Sequence, residues 1–428
     1  MLLDTTGHFF LGAAAVLALS HLAGVLAVRL GQPRVIGEVG AGITLGPSVL
    51  GALSPQTAAW LFPPAILPML NGLAQIGLAL FMFGTGQELA SMRVRGASRQ
   101  GLTISQASLL LPFGAGALVA MPLAGDYAPA GTSPTAFVLF VGCAVSITAF
   151  PVLARMLEDL DISRTRPGRL SLFAAAVGDG GSWLALSAVL ALAHGSGPMD
   201  AVMRALVSVA VIAICLGPVR RLVAVWFARR ADRVGPATLT VTLVVSIGAS
   251  AAMTAALGLH QLIGAFLVGL VWPAGNRAAA TAAAPLTATA KTVLLPFFFM
   301  GYGLGVDLGA LRLSTGAGLV LAALLAAAVL AKIGGTGLGA RYAGLPWTES
   351  LAVGILMNTR GLTELVVLQI GHEAHIIDDR MFALLTVVAL VTTLMTAPLL
   401  RLTGTLPPPA PAPAPPTRAR GEESPVGT

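Results

Sequence analysis

Apolar residues occur along this chain in long runs that are separated by short polar stretches. A helix needs about 20 mostly apolar residues to cross the hydrocarbon core of a bilayer. The predicted membrane-spanning runs are residues 7–28, 34–51, 64–87, 101–124, 135–157, 169–193, 201–219, 236–257, 259–274, 290–309, 316–340, 350–371 and 381–401. The pattern therefore predicts an all-α polytopic membrane protein with 13 transmembrane helices.

The distribution of arginine predicts how these helices are oriented. If the N-terminus lies outside, the loops on the cytoplasmic side contain 18 arginines, whereas the outer loops contain only Arg204, Arg312 and Arg380. Loops on the cytoplasmic side of membrane proteins are enriched in positive residues. We therefore expect a multi-pass protein of the cell (plasma) membrane with its N-terminus outside and its C-terminus in the cytoplasm.

Composition excludes several other classes of protein. Of the 428 residues, 56% are hydrophobic and 10% are charged, and the formal net charge is +7. This charged fraction is less than half of that in an ordinary soluble domain, which excludes a soluble enzyme or a nucleic-acid binder. The two cysteines, Cys143 and Cys215, both lie in apolar runs and indicate neither a disulfide framework nor a metal site. No cofactor is expected.

The C-terminal residues have a different composition from the rest of the chain. Residues 406–416 are almost entirely proline and alanine, and a short charged end follows. Such low-complexity sequence does not form a packed core. We expect residues 402–428 to be a disordered cytoplasmic tail, and we expect no nucleotide-binding regulatory domain in this chain.

Charged residues occur inside the predicted spans, where they are costly. Asp179 lies ten residues into its run, or about 15 Å along a helix, which is the middle of the membrane. Lys332 lies in the middle third of another run and is one of only two lysines in the chain. A lysine can lose and regain a proton, which arginine cannot do. A functional pair of charges is favoured, and a static Asp179–Lys332 pair that joins two helices is the alternative.

Two runs contain helix-breaking and polar residues at membrane depth. Residues 146–151 read SITAFP, with Pro151 at the end, and residues 357–361 read MNTRG. Non-helical backbone in a membrane is tolerated only where protein encloses it or a cavity adjoins it. Each interrupted run is the fifth of six in its half, residues 7–193 and 236–401, around a linker helix at 201–219. Paired interruptions in inverted halves are typical of a transporter's binding site; a proline kink and a polar helix contact are the alternative.

Several sequence blocks resemble the second monovalent cation:proton antiporter family. Residues 32–38 and 46–51, QPRVIGE and GPSVLG, look like its second-helix signature. Residues 146–157 and 356–365 look like its two broken helices. The resemblance covers about residues 8–400. It implies a sodium/hydrogen exchanger domain over residues 1–401, with two inverted six-helix repeats and two discontinuous crossing helices.

The resemblance also implies what the ion site contains. Asp179 matches the carboxylate that takes the cation and the proton in turn. Thr148 and Ser146, with neighbouring freed carbonyls, resemble the oxygens that complete the ion shell. Lys332 matches the lysine on the opposite side, as a charge partner.

A second group of residues resembles the structural support of the crossing point. Arg360 and Glu364 lie four residues apart, on one helical face, where they can bind each other and backbone ends. Asn358 and Pro151 belong to the same support. The scaffold helices of this family imply a homodimer in contact with membrane lipid.

One position departs from the family pattern. Many members have two adjacent acidic residues where this chain has Gly178 and Asp179. Without the first acid, Lys332 either pairs with Asp179 or stands alone. A single carboxylate predicts electroneutral exchange of one Na+, K+ or Li+ for one H+, and the sequence does not rank the cations. A gated K+ efflux pathway and a non-transporting membrane sensor are the alternatives.

Overall fold

The computed structural model describes residues 4–91, 97–193, 198–230, 233–257, 261–304 and 315–404. Its secondary structure in these ranges is helical, as the apolar runs predict. The first ten α-helices are α1 (Thr5–Arg29), α2 (Arg34–Leu45), α3 (Pro55–Leu61), α4 (Leu67–Ser91), α5 (Ala97–Ala120), α6 (Ala124–Tyr127), α7 (Pro134–Ser146), α8 (Phe150–Asp159), α9 (Arg166–Ala193) and α10 (Pro198–Ile214). The next ten are α11 (Arg220–Arg230), α12 (Pro236–Ala256), α13 (Gln261–Val271), α14 (Arg277–Thr289), α15 (Leu295–Leu304), α16 (Thr315–Val329), α17 (Gly335–Tyr342), α18 (Trp347–Met357), α19 (Leu362–Glu373) and α20 (Asp379–Leu402).

Ten helical segments within the described ranges are long and apolar enough to cross a membrane, and α13 and α18 are shorter apolar helices. Helices, or consecutive pairs of helices, occupy each of the predicted apolar runs. The all-helical membrane architecture is therefore confirmed, whereas the count of 13 crossings stays a prediction.

Two helices extend beyond the predicted ends of their runs. The run predicted to begin at residue 290 starts as α14 at Arg277, and the run predicted to end at 219 continues as α11 to Arg230. Alanine and arginine are both strong helix formers but differ from the core residues in hydropathy. Apolar content therefore predicts where a helix is buried in lipid better than it predicts where the helix ends.

Both interrupted runs are complete breaks in the structure. Between α7 and α8 the residues 147–149 are non-helical, and residues 358–361 separate α18 from α19. Pro151 lies in the first turn of α8, where no helical partner is available for a backbone N–H in any case. The first break is therefore not a proline kink within a continuous helix.

Both lysines lie in π-helical turns that interrupt long helices. Lys291 is in the turn Ala290–Leu294 between α14 and α15, and Lys332 is in the turn Leu330–Gly334 between α16 and α17. A π-helical turn inserts one extra residue and changes the direction of the side chains around it. Such turns are frequent at functional sites.

Glycine permits the close contact between α4 and α13. A Cβ atom at Gly269 would lie 2.1 Å from the carbonyl oxygen of Phe83, and one at Gly86 would lie 2.3 Å from that of Phe266. Small residues allow membrane helices to approach in this way.

We expect Gly269→Ala to lower the melting temperature of the purified protein, because the added methyl group must displace backbone. Overpacking of this kind costs about 1–3 kcal/mol. Thermal unfolding in detergent measures the effect. The matched control is Gly301→Ala on α15, where a Cβ atom meets nothing within 4 Å. Equal melting temperatures of the two variants would contradict the close contact.

Candidate ion-binding site

The two breaks lie against each other. The backbone N–H of Ala149 donates to the carbonyl oxygen of Thr359 at 3.0 Å, and the Thr148 hydroxyl donates to that of Met357 at 2.9 Å. A Cβ atom at Gly361 would lie 2.4 Å from Cγ2 of Val152, so only glycine fits there without displacing a neighbour. Each break thus supplies hydrogen-bond partners that the other has lost, as buried backbone groups require.

The last four carbonyls of α7 have no backbone N–H donor from the next helical turn, and side chains bind all of them. The Ser146 hydroxyl donates to the Cys143 oxygen at 2.7 Å. The guanidinium of Arg360 donates to the oxygens of Ala144, at 3.0 Å, and Val145. The Lys332 ammonium donates to the oxygen of Ser146. Two cations therefore bind the negative end of this half-helix, where the dipole favours them.

Arg360 also connects α19 and α20 to the end of α7. Its Nη1 lies 2.9 Å from Oε1 of Glu364, and both side chains are fully buried. Its backbone N–H donates to the Thr393 hydroxyl of α20 at 2.9 Å. The structure thus brings together the predicted pair, Arg360 and Glu364, with a geometry that suits support of the crossing.

Asn358 is also buried in the second break. Its Nδ2 donates to the Thr392 carbonyl at 3.4 Å, while its Oδ1 has no hydrogen-bond partner in the described part of the chain. Asn358 therefore connects the break to α20 with one end of its amide.

Lys332 does not form an ion pair with Asp179 within the described residues. Its Nζ donates to the carbonyl of Ser108 on α5, at 2.8 Å, as well as to that of Ser146, and the side chain is 1% exposed. Of the two possibilities for this lysine, the structure has the one without a carboxylate partner. Lys332 connects α5 to the end of α7.

Asp179 lies near the middle of α9, with its side chain buried at 5% exposure. Its Oδ1 is enclosed and makes no hydrogen bond to any described residue. The preceding Gly178 faces α5, because a Cβ atom there would lie 3.4 Å from Oγ of Ser105. An ionised carboxylate in this position lacks compensation, which is expensive in a low-dielectric interior.

Sequence reasoning missed Ser105 and Ser108 of α5. Both are nearly fully buried, and neither hydroxyl has a hydrogen-bond partner among the described residues. They lie three residues apart in an apolar run, so one face of the helix carries both. That spacing was visible, but serine in a membrane helix usually bonds its own backbone, so the spacing alone does not mark a site.

The available ligands fit a small, hard, singly charged ion. No group of three or more His, Cys, Asp or Glu residues in the described ranges is arranged to hold a metal ion. The residues predicted to bind the ion are one carboxylate, Asp179, and the hydroxyls of Thr148 and Ser146, all of which are oxygen donors. Oxygen ligands of this kind suit hard cations, and a single carboxylate matches a single positive charge or a proton.

Comparison with known proteins identifies relatives of the whole membrane part. A family model described as "Sodium/hydrogen exchanger, transmembrane" matches residues 15–402. The chain is 34% identical to Na(+)/H(+) antiporter NhaS4 of Synechocystis over 90% of this chain and 94% of the relative. It is 35% identical to Cation/H(+) antiporter 17 of Arabidopsis thaliana, over 90% of this chain and 47% of the relative.

Other relatives are similarly identical to this chain but are about twice as long. The chain is 34% identical to K(+)/H(+) antiporter 1 of Saccharomyces cerevisiae, over 92% of this chain and 46% of that protein. It thus spans about half the length of several of the curated relatives that it matches. The fold resembles that of the sodium proton antiporter MjNhaP1 from Methanocaldococcus jannaschii, with a TM-score of 0.63 at 15% identity over 92% of this chain and 97% of that one.

We expect Arg360→Met to destabilise the protein by about 3–5 kcal/mol, because it leaves the Glu364 carboxylate buried and unpaired. The double variant Arg360→Met/Glu364→Leu removes both charges and should recover part of that loss. Thermal unfolding of the variants in detergent gives the comparison. A double variant that is no more stable than Arg360→Met would contradict the paired arrangement.

Proposed function

Because this chain belongs to the sodium/hydrogen exchanger transmembrane family, we propose that it exchanges a monovalent cation, Na+ or K+, for H+ by alternating access. The observation that carries the proposal is the buried Asp179 carboxylate without a hydrogen-bond partner among the described residues. The names of relatives support it, since NhaS4 is a Na(+)/H(+) antiporter and the yeast relative is a K(+)/H(+) antiporter. Those relatives are named as transporters, and we assign no enzymatic activity to this chain.

Exchange follows from competition for one carboxylate. A bare carboxylate at the position of Asp179 is unfavourable, so the group holds either a proton or a cation. Arrival of one therefore releases the other, and alternating access of the occupied site to the two sides couples the two fluxes. With Gly178 beside it, Asp179 supplies one negative charge, which favours exchange of one cation for one proton without net charge movement.

Hydroxyl and carbonyl oxygens would complete the ion shell. Thr148 and Ser146 of the first break retain free lone pairs on hydroxyls whose protons are already donated to carbonyls. We add Ser105 and Ser108 to these, because their buried hydroxyls have no partner among the described residues and Ser105 adjoins the residue before Asp179. Li+ has the same ligand preference, and the set does not rank the three cations.

Lys332 would act as the charge partner of the site from its position at the end of α7. Its bonds to the Ser108 and Ser146 carbonyls hold α5 against the first break. Asn358, Arg360, Glu364 and Pro151 would maintain the crossing point without binding the ion.

The proposal includes the finer architecture. Residues 1–401 would form 13 transmembrane helices, as two inverted six-helix repeats around the linker helix at 201–219; of the tail predicted at 402–428, residues 405–428 lie outside the described part of the chain. The N-terminus would lie outside a plasma membrane and the C-terminus inside. Two copies would form a dimer through scaffold helices that contact membrane lipid.

We expect Asp179→Asn to abolish exchange in liposomes. With the purified protein, an acid interior and a pH-sensitive dye, external Na+, K+ or Li+ should raise the internal pH. Asp179→Asn should remove this response, whereas Asp126→Asn, an exposed acid, should not. No response of the wild-type protein to any of the three cations would refute antiport and favour a sensor.

An imposed membrane potential should not drive protons through the protein, because one-for-one exchange moves no net charge. The same liposomes, with equal Na+ and K+ on the two sides and a gradient of the membrane-permeant anion thiocyanate to set the potential, provide the measurement. Proton uptake that follows the imposed potential would exclude the one-for-one stoichiometry while leaving antiport intact.

Ser105→Ala should weaken the apparent cation affinity about tenfold, since one ligand of about 1–1.5 kcal/mol is lost. It should not destabilise the empty protein, because the deleted hydroxyl has no partner among the described residues. The matched control is Ser171→Ala, which removes another buried, unpartnered hydroxyl of α9. Ser171 is eight residues before Asp179, about 12 Å along the helix. Equal cation affinities of the two variants would remove Ser105 from the shell.

A further inference from the structure

An apolar groove of about 610 Å³ lies between α11 with the π-helical turn before it (Cys215–Val219), α12 and α13, away from the candidate ion site. Its walls include Cys215, Val219, Trp226, Leu239, Met253 and Trp272. The wall from Leu239 to Met253 on α12 is about 21 Å long at 1.5 Å per residue. Half of a hydrocarbon core is about 15 Å thick, so the groove is long enough to hold the acyl chain of a lipid in one leaflet.

One stretch beside this groove is strongly basic. Arg220, Arg221, Arg229, Arg230 and Arg233 lie within 14 residues. All five are exposed, and none forms an ion pair with another described residue. Residues 201–306 contain eight basic residues and one acidic residue, so this quarter of the chain accounts for a formal charge of +7, the net charge of the whole chain.

Arg229 and Arg230 continue the face of α11 that lines the groove. Arg229 and Arg230 follow Trp226 by three and four residues, which places them one turn beyond it on the same side of α11. Trp226, Phe227 and Trp272 form an aromatic cluster there. The ring centroid of Phe227 lies 5.1 Å from that of Trp226 and 4.8 Å from that of Trp272. Tryptophan is enriched at the level of lipid headgroups, so the groove begins at that level and extends into the hydrocarbon.

We propose that this groove binds one anionic phospholipid, with its phosphate at Arg229 and Arg230 and an acyl chain along α12. The general bias of positive residues to one membrane side explains the sign of this charge. It does not explain why Arg229 and Arg230 lie one turn beyond Trp226, at the end of α11 where the apolar groove begins. Basic clusters of this size beside membrane helices bind anionic headgroups, at about 1 kcal/mol for each residue. A second copy of the chain would instead bring two sets of arginines together.

Tryptophan fluorescence tests the proposal, because two of the five tryptophans line the groove. The variant Trp60→Phe/Trp183→Phe/Trp347→Phe leaves only Trp226 and Trp272 as reporters. It is reconstituted into phosphatidylcholine vesicles that contain a small fraction of a brominated lipid, either phosphatidylglycerol or phosphatidylcholine. Bromine on the acyl chains quenches the fluorescence of nearby tryptophan. Brominated phosphatidylglycerol should quench at mole fractions at which brominated phosphatidylcholine does not, and added salt should weaken this preference.

Three further variants in the same tryptophan background test the headgroup contact and the acyl-chain contact separately. Arg229→Gln/Arg230→Gln should weaken phosphatidylglycerol binding about thirtyfold, from two contacts of about 1 kcal/mol each. Arg164→Gln/Arg169→Gln removes two exposed arginines elsewhere and should leave it unchanged. Ala249→Phe, on the groove wall, should reduce quenching while the melting temperature is kept.

Three results would overturn the proposal. Equal quenching by the two brominated lipids would mean that the groove does not select a headgroup. If Arg229→Gln/Arg230→Gln keeps the same preference for phosphatidylglycerol as the control variant, the two arginines do not bind the headgroup of the lipid in the groove. Absence of quenching by either lipid would mean that protein, such as a second copy, covers Trp226 and Trp272.

Discussion

The end of α7 leaves four backbone carbonyls without helical partners in the interior of a membrane segment, and the rest of the site depends on how they are bound. The side chains of Ser146, Arg360 and Lys332 bind all four, and the N–H of Ile147 adds a longer bond to the Ala144 oxygen at 3.4 Å. These side chains come from α7, the second break and the π-helical turn after α16. The need to hydrogen-bond the carbonyls at the end of α7 therefore holds these three segments together. The buried Glu364 then balances Arg360, and residues of α20 bind the second break.

The Asp179 carboxylate, in contrast to these four carbonyls, has no hydrogen-bond partner among the described residues, and the proposed exchange rests on that difference. Arg360 and Lys332 bind the carbonyls at the end of α7, and neither of them forms an ion pair with the buried Asp179 carboxylate among the described residues. Lys332 pairs with backbone carbonyls rather than with Asp179, and in the proposed exchange that carboxylate is therefore available to a proton or a transported ion. The hydroxyls of Ser105 and Ser108 likewise have no partner among the described residues, and they lie on the helix against which Gly178 packs.

Much of this arrangement was predictable from the sequence, because charge and helix-breaking residues are rare in a membrane. The burial of Asp179 and Lys332, the two breaks and the Arg360–Glu364 pair each follow from such residues. The partners of Lys332 did not follow, since a backbone carbonyl has no sequence signature and the π-helical turn that directs the side chain depends on packing. The serines of α5 were missed for a related reason: serine is common in membrane helices, and only the three-dimensional structure distinguishes a bonded hydroxyl from a free one.

The central claim is that a cation and a proton compete for the single carboxylate of Asp179. Calorimetry of cation binding to the purified protein in detergent, repeated in buffers with different ionisation enthalpies, measures the protons released for each cation bound. We predict release approaching one proton per cation in the wild-type protein at a pH where the empty site is protonated, and no release from Asp179→Asn. Cation binding without proton release at every pH, or equal proton release from the variant, would contradict the account.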